Sequence, residues 1–241
     1  MSETIEQTAD KVVPLHKNLD KDWSIIAEEK LDILFYLDIG MDPYTYFLSF
    51  ARLASLQAVT IGHAEASGVP NIDYFLSSKL TEPADASTHY TEQLIKLKNL
   101  STYYYRPEAP KKAYFRNDFG LSEGPRLYLY PQLHPGLDAT LGELLRRDLD
   151  GLLVLIDDAK GGHLNNLLIE RFGRSLPDVT DRVTFIPKIP YEKFLGLQLF
   201  ADVVLDNPFF SKTNSGLEAF DVNAAIVALP GEYCSGNCVT A

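Results

Sequence analysis

The chain has 241 residues, 46% of them hydrophobic and 23% charged, and its 22 basic and 33 acidic side chains give a net charge of −11. This composition suits a globular protein with a sizeable core and excludes collagen-like, coiled-coil and wholly disordered chains. Because an acidic body repels phosphate backbones, we expect no nucleic-acid partner. No apolar stretch approaches membrane-spanning length, so we also expect no membrane span.

The first part of the chain mixes short apolar runs with polar loops. Residues 1–19 are polar and are expected to form a loose leader, and residues 20–30 have helical spacing. Strands are predicted at 31–37, 56–61 and 73–77, and helices at 44–53 and 82–90. Residues 99–124 have the weakest pattern and are the candidate connection between domains. The run Tyr103-Tyr104-Tyr105 within them is either a ligand platform or ordinary packing, and packing is favoured.

The second part of the chain alternates regularly between strand and helix. Strands are predicted at 126–130, 152–156, 183–186, 202–205 and 225–229, and helices at 137–147, 164–172, 191–200 and 214–220. The strands are continuously apolar, which is typical of a parallel sheet covered on both faces. We therefore predict an α/β, doubly wound fold with two Rossmann-like lobes. Its expected divisions are a partly helical leader at 1–30, a first lobe at 31–118 and a second lobe at 119–241.

Ligands of open α/β sheets lie beyond the carboxyl ends of the strands, near a switch in strand order. Three loops have this position: 62–68, 131–135 and 206–213. His63 and His134 lie in the first two of these loops and are the better histidine candidates.

The third loop leads into a predicted helix, whose free N–H groups suit a phosphate. Thr213, Asn214 and Ser215 would add side-chain donors, Lys212 a full charge, and Glu218 an acceptor for ribose hydroxyls. The alternative is that Thr213 or Asn214 is an ordinary helix cap and Glu218 lies on a solvated face. From these residues alone, the capping interpretation is favoured.

The two cysteines, Cys234 and Cys238, have a gap that would suit half of a metal site. No histidine lies near them, so we interpret them as reduced thiols and expect neither a bound metal nor a disulfide. Together with a start that does not resemble a signal peptide, this predicts a cytoplasmic location, with the nucleus as the alternative.

Ordered blocks of the sequence resemble the catalytic region of the O-linked N-acetylglucosamine transferase family, which includes the Spindly-type fucosyltransferases. The blocks are 31–37 (LDILFYL), 57–63 (QAVTIGH), 73–78 (DYFLSS), 90–94 (YTEQL), 130–132 (YPQ), 134–135 (HP), 201–206 (ADVVLD), 214 with 218–219, and 229–232 (LPGE). The resemblance covers nearly all of the chain from about residue 30 onward.

The resemblance implies a GT-B glycosyltransferase, with two Rossmann-like lobes facing a cleft that holds a nucleotide sugar. Such an enzyme transfers a sugar, here expected to be N-acetylglucosamine, to Ser or Thr of an acceptor protein without a metal or other cofactor. The donor would be a UDP-sugar, with a GDP-sugar as the alternative. By the same resemblance, Gly62 and His63 lie near the sugar and diphosphate, and Gln132 contacts the nucleotide. Asn214, Ser215 and Glu218 match the diphosphate- and ribose-binding helix start, which favours the phosphate interpretation of that loop.

Several family features are missing, so no catalytic residue is assigned. Gln132 runs straight into Leu133-His134-Pro135, without four residues that include the family's lysine. Removing one donor of this kind can cost a factor of about 10²–10³ in rate. Lys212 is a candidate substitute. The family's upstream catalytic histidine has no counterpart before residue 30, and we expect an incomplete amino-terminal lobe and a truncated carboxyl-terminal one.

Two functions follow from this pattern. The first is the catalytic region of a protein glycosyltransferase. The second is an inactive pseudo-glycosyltransferase that serves as a nucleotide-binding or interaction module.

Overall fold

A computed structural model describes residues 2–108, 110–131, 133–157 and 163–241. It divides the chain into two compact units, Met1–Thr102 (the first unit) and Tyr103–Ala241 (the second unit). The division differs from the expected one between residues 118 and 119. Tyr114 and Phe119 pack into the core of the second unit, so the segment before residue 119 belongs with that core.

The first unit contains a four-stranded parallel sheet in the order β1-β2-β3-β4. Its elements are α1 (Ser2–Thr8), α2 (Leu19–Glu28), β1 (Ile33–Tyr36), α3 (Pro43–Leu48), β2 (Leu56–Thr60), β3 (Tyr74–Ser78) and β4 (Gln93–Leu97). Asn18 caps α2 by accepting the N–H of Lys21, and Asp42 caps α3 by accepting the N–H of Tyr44. The strands predicted at 31–37, 56–61 and 73–77 are therefore confirmed.

Two predictions for the first unit were wrong, and one strand was missed. The leader contains a helix, α1, and the predicted helix at 82–90 is only a 3₁₀ turn at Ala86–His89. Pro83, Asp85 and Ser87 explain the second error, because proline and short polar side chains favour turns over helix. The strand β4 was not predicted at all.

The core of the first unit lies on one face of its sheet. Right-handed connections between sequential parallel neighbours all fall on the same face. The buried residues follow this rule, since Tyr36, Val59 and Phe75 pack together with Leu94 on that face. On the other face, Ile33 and Phe35 of β1 are 61% and 43% exposed.

The second unit contains a five-stranded parallel sheet in the order β7-β6-β5-β8-β9. Its elements are β5 (Arg126–Leu129), α4 (Asp138–Arg147), β6 (Gly151–Ile156), α5 (His163–Ser175), β7 (Val183–Ile186), α6 (Tyr191–Phe200), β8 (Val203–Leu205), α7 (Asn214–Asp221) and β9 (Ile226–Val227). Every helix and strand predicted after residue 125 is confirmed to within a few residues.

Both faces of the second sheet are covered. Leu153 and Leu155 of β6 pack with Leu145 of α4 and Phe172 of α5 on one face. The other face packs against Leu197 of α6 and the segment around Phe119. The chain runs outward from β5 to β7 and then returns to β8 on the other side of β5, so the strand order switches between β5 and β8. No helix among the described residues is long and apolar enough to cross a membrane.

Candidate functional site

The switch point between β5 and β8 brings two of the three predicted loops together. Leu129 at the end of β5 pairs with Val204 of β8, so the loops 131–135 and 206–213 leave the same edge of the sheet. The His134 ring stacks on the Phe209 ring, with centroids 3.8 Å apart and planes 25° from parallel. His134 Nδ1 also accepts the N–H of Gly136 at 3.1 Å. His134 therefore joins the two loops. Gln132 lies outside the described residues.

The loop 206–213 is fixed by the buried carboxylate of Asp206. Its two oxygens accept the Ser211 hydroxyl at 2.7 Å and the backbone N–H of Lys212 at 2.9 Å. The final segment of the chain, residues 235–239, holds Ser211 in turn. The N–H of Ser211 donates to the Ser235 carbonyl at 2.6 Å, and the Oγ of Ser211 accepts the N–H of Val239 at 3.1 Å. The loop is thus anchored before α7 begins.

The same final segment approaches the loop so closely that only glycine fits at one position. A Cβ on Gly236 would lie 2.1 Å from the carbonyl oxygen of Pro208. No side chain tolerates such a contact, so Gly236 allows the segment to pack on the loop.

The start of α7 presents exposed polar groups at the edge of the sheet. Thr213 occupies the N-cap position but makes no side-chain capping hydrogen bond. Thr213 and Asn214 are exposed and Ser215 is half-buried. The first-turn N–H groups of a helix have no partner within the helix and carry a partial positive charge. This end of α7 can therefore donate several hydrogen bonds to an anion.

Glu218 is buried one turn into α7, so it does not lie on a solvated face. The Tyr104 hydroxyl donates to its Oε1 at 3.1 Å, across 114 residues of sequence. Burial raises the pKa of Tyr104, and hydrogen bonds with Tyr191 and Glu218 raise it further. Burial raises the pKa of Tyr191 as well. The hydroxyls of Tyr104 and Tyr191 therefore remain protonated and can orient the Glu218 carboxylate.

The three residues of the run Tyr103-Tyr104-Tyr105 differ in their exposure to solvent. Tyr104 is the half-buried member that meets Glu218, whereas Tyr103 and Tyr105 are 83% and 82% exposed. The two exposed rings contact each other edge to face, with centroids 5.0 Å apart. The packing interpretation applies to Tyr104, and the sequence did not identify Glu218 as its partner.

Lys212 does not present its charge to the surface of the site. Its side chain is fully buried, its ammonium donates to the Leu205 carbonyl, and Nζ lies 3.9 Å from Asp206 Oδ1. Burial lowers the pKa of Lys212 to about 8, while Asp206 acts in the opposite direction. As placed here, the ammonium faces the end of β8 and cannot reach an exposed anion.

The remaining predicted loop, 62–68, lies in the first unit. A Cβ on Gly62 would lie 2.2 Å from the carbonyl oxygen of Leu37, so glycine is required where the two chain segments meet. His63 lines a pocket of about 240 Å³ together with Tyr46 and Ser67. Its Nδ1 lies 3.9 Å from Glu65 Oε2. Within the described ranges, no three His, Cys, Asp or Glu side chains are grouped so as to hold a metal ion.

The two parallel-sheet α/β units are consistent with the GT-B glycosyltransferase fold, and solved structures show this fold. A mutant O-GlcNAc transferase from Thermobaculum terrenum superposes with a TM-score of 0.79 at 19% identity, covering 99% of this chain and 46% of that one. Anabaena HepE, crystallised with UDP and glucose, superposes with a TM-score of 0.57 at 12% identity, covering 89% of this chain and 63% of that one. The predicted fold class is confirmed.

Curated relatives extend the similarity to sequence. A UDP-glucose:protein N-beta-glucosyltransferase from Actinobacillus pleuropneumoniae is 29% identical over 203 residues, which are 78% of this chain and 30% of that protein. A probable UDP-N-acetylglucosamine–peptide N-acetylglucosaminyltransferase SPINDLY from Oryza sativa is 31% identical over 87 residues, or 36% of this chain and 9% of that one. The chain thus spans less than a third of the length of these relatives, and no family model matches it. These similarities confirm the resemblance to the O-GlcNAc transferase and Spindly family.

Proposed function

We propose that this chain is part of a protein glycosyltransferase that binds a UDP-sugar at the β5–β8 switch point of the second unit. The observation that carries the proposal is the arrangement there, where the exposed polar start of α7 lies one turn before a buried, oriented carboxylate. The similarity to a protein that is named as a UDP-glucose:protein glucosyltransferase supports it. The reaction would transfer the sugar to a side chain of an acceptor protein and release UDP.

Each group at the switch point has a task in this proposal. The first N–H groups of α7, with Thr213, Asn214 and Ser215, would donate to the diphosphate. The same donors would stabilise the negative charge that develops on UDP as the bond to the sugar breaks, and such stabilisation is often the largest catalytic contribution. Glu218, oriented by Tyr104, would accept a ribose hydroxyl. Gln132 would contact the nucleotide.

The donor sugar and the acceptor atom are proposed from the family resemblance, which gives N-acetylglucosamine and transfer to Ser or Thr. The name of the bacterial relative specifies glucose and an N-linked product instead. A transfer assay with both UDP-sugars, using mass spectrometry of the acceptor, distinguishes these reactions.

A titration of the purified chain with UDP tests the donor site, with GDP as the control nucleotide. We expect UDP to bind in the micromolar range and GDP more weakly. Glu218→Gln should weaken UDP binding by about tenfold or more, because the ribose hydroxyl would donate to a neutral amide oxygen instead of a charged carboxylate. Glu143→Gln, which removes an exposed carboxylate from α4 of the same unit, should leave the affinity unchanged.

Circular dichroism of each variant shows whether it is folded. A folded wild-type chain that binds no UDP would contradict the proposal, and so would a Glu218→Gln variant that binds as tightly as the wild type.

A second candidate function is nucleotide binding without sugar transfer. The placement of Lys212 favours it, because a buried ammonium cannot replace the family's lysine at an exposed diphosphate. This candidate predicts normal UDP affinity with neither transfer to protein nor release of UDP from UDP-sugars.

A further inference from the structure

Lys212 of the second unit is a buried cation for which the proposed donor site has no direct use. The Lys212 side chain has no exposed surface, and it lies at the carboxyl end of β8, directly before the N-cap residue of α7. Its ammonium and its backbone N–H are both held by the residues at the end of that strand, Leu205 and Asp206. The lysine is therefore a built part of the loop 206–213.

We propose that Lys212 is a positioning residue whose buried ammonium holds the loop 206–213 and supports the binding of the donor's diphosphate at the start of α7. This inference rests on the proposed function. Lys212 would not touch the donor. It would act through Asp206 and Leu205 by fixing the course of the loop, and through its charge, which is weakly screened because the side chain is fully buried.

Burial has the larger effect on the pKa of Lys212, and Asp206 is the charged group that opposes it. Asp206 faces it from its own loop, and Tyr130 at the end of β5 interacts electrostatically with Asp206 but stays neutral, since burial raises its pKa to about 12. On α7, Gly216 is the residue beside the Lys212 side chain. The final segment contributes Ser235 and Val239 to the loop, and neither titrates.

The energetics also favour a functional reason for this lysine. An apolar side chain of similar length would fill the same space without the cost of removing an ammonium from water. Burial lowers the pKa of Lys212 to about 8, so the ammonium begins to lose its proton just above neutral pH. Binding of an anion nearby favours the charged form, and linkage then requires that UDP binding be coupled to proton uptake.

The first test is a calorimetric titration of wild-type chain with UDP at pH 8, in buffers of different ionisation enthalpy. UDP is fully ionised there, because its second phosphate pKa is about 6. We expect uptake of up to about half a proton per UDP bound, since about half of Lys212 is neutral when the pH equals its pKa. Because this measurement needs no variant, it does not depend on whether a substitution folds.

The second test compares Lys212→Met with Lys111→Met, which makes the same change at an exposed lysine of the same unit. Lys212→Met should weaken UDP binding at pH 7 by about tenfold, change uridine binding much less, and abolish the proton uptake. Lys111→Met should behave as the wild type in all three measurements.

The outcomes separate this inference from the proposed function. If the folded wild type binds no UDP, the proposed function fails and this inference fails with it. If the wild type binds UDP without proton uptake at pH 8, this inference alone is overturned. It is also overturned if Lys212→Met weakens UDP and uridine equally, because that result indicates only a general disturbance of the fold.

Discussion

The two units are built from the same kind of parallel sheet, and they differ in where the chain turns back. In the first unit the strands follow one another across the sheet, so the core lies on one face and Phe35 on the other face is 43% exposed. In the second unit the chain starts in the middle at β5, so helices cover both faces. The same local pattern of strand and connection therefore gives different burial in the two units.

The difference also decides where a ligand site can form. Loops that leave adjacent strands on opposite faces diverge and open a crevice between them, and this happens only where the strand order switches. The second unit has such a point between β5 and β8, where the stacked rings of His134 and Phe209 join the two loops. The sequential order of the first sheet contains no switch.

Buried charges show a second contrast between the units. Asp22 in the first unit would have its pKa raised by burial, but hydrogen bonds from Tyr44 and from the N–H groups of His16 and Asn18 lower it to about 2. Lys212 in the second unit has fewer partners, and burial dominates its pKa. Hydrogen bonds thus stabilise the charged form of Asp22, whereas burial destabilises the charged form of Lys212.

The largest effect on stability should come from a substitution in the second unit, whose sheet is covered on both faces. Leu153 is fully buried in the middle of β6, so Leu153→Ala should lower the free energy of unfolding by about 2–5 kcal/mol. Urea unfolding followed by circular dichroism measures this loss. Leu149→Ala, at a leucine of the same unit that is 77% exposed, is the control and should change it by less than about 0.5 kcal/mol. Equal losses for the two variants would contradict the burial of this sheet on both faces.

The next effect is a dependence of stability on pH that Lys212 produces. Its pKa is lowered from 10.5 to about 8 in the folded state, so the unfolded chain binds more protons between these values and stability rises with pH. Relative to Lys212→Met, the wild type should gain about 2 kcal/mol between pH 7 and 9.5. Urea unfolding at the two pH values measures the gain. Parallel changes in the wild type and the variant would show that Lys212 is not held at a cost.

The smallest effect should come from the uncovered face of the first sheet. Phe35→Thr keeps a side chain that suits a strand, removes a ring that is already partly in water, and should cost less than about 1 kcal/mol. The single tryptophan, Trp23, lies in the same unit and reports its unfolding by fluorescence. A loss as large as that of Leu153→Ala would mean that this face is buried in solution.

Periodicity predicted the second unit better than the first. Its strands are continuously apolar because both faces are buried, and they stand out from the amphipathic helices between them. In the first unit β4 was missed because its residues, QLIKL, alternate between exposed and half-buried positions at the edge of the sheet. The extended residues near Tyr114 gave no signal, although they pack into the second core.

The site was predicted in part. Local sequence identified the loops 131–135 and 206–213, because each follows an apolar strand and the second precedes a helix. It could not identify Tyr104 as the partner of Glu218, since the two are 114 residues apart and each belongs to an ordinary local pattern. It also placed the charge of Lys212 at the surface, where lysines usually lie.

Local sequence specified most of the strands and helices, the loops that carry polar groups, and the family that the chain resembles. These properties depend on neighbouring residues and on the period of the hydrophobic pattern. The tertiary structure alone decided that the loops of β5 and β8 meet, that Glu218 is oriented by a distant phenol, and that Lys212 is enclosed beneath the loop it belongs to. These features depend on strand order and on the removal of water, and neither property is encoded in a local stretch of residues.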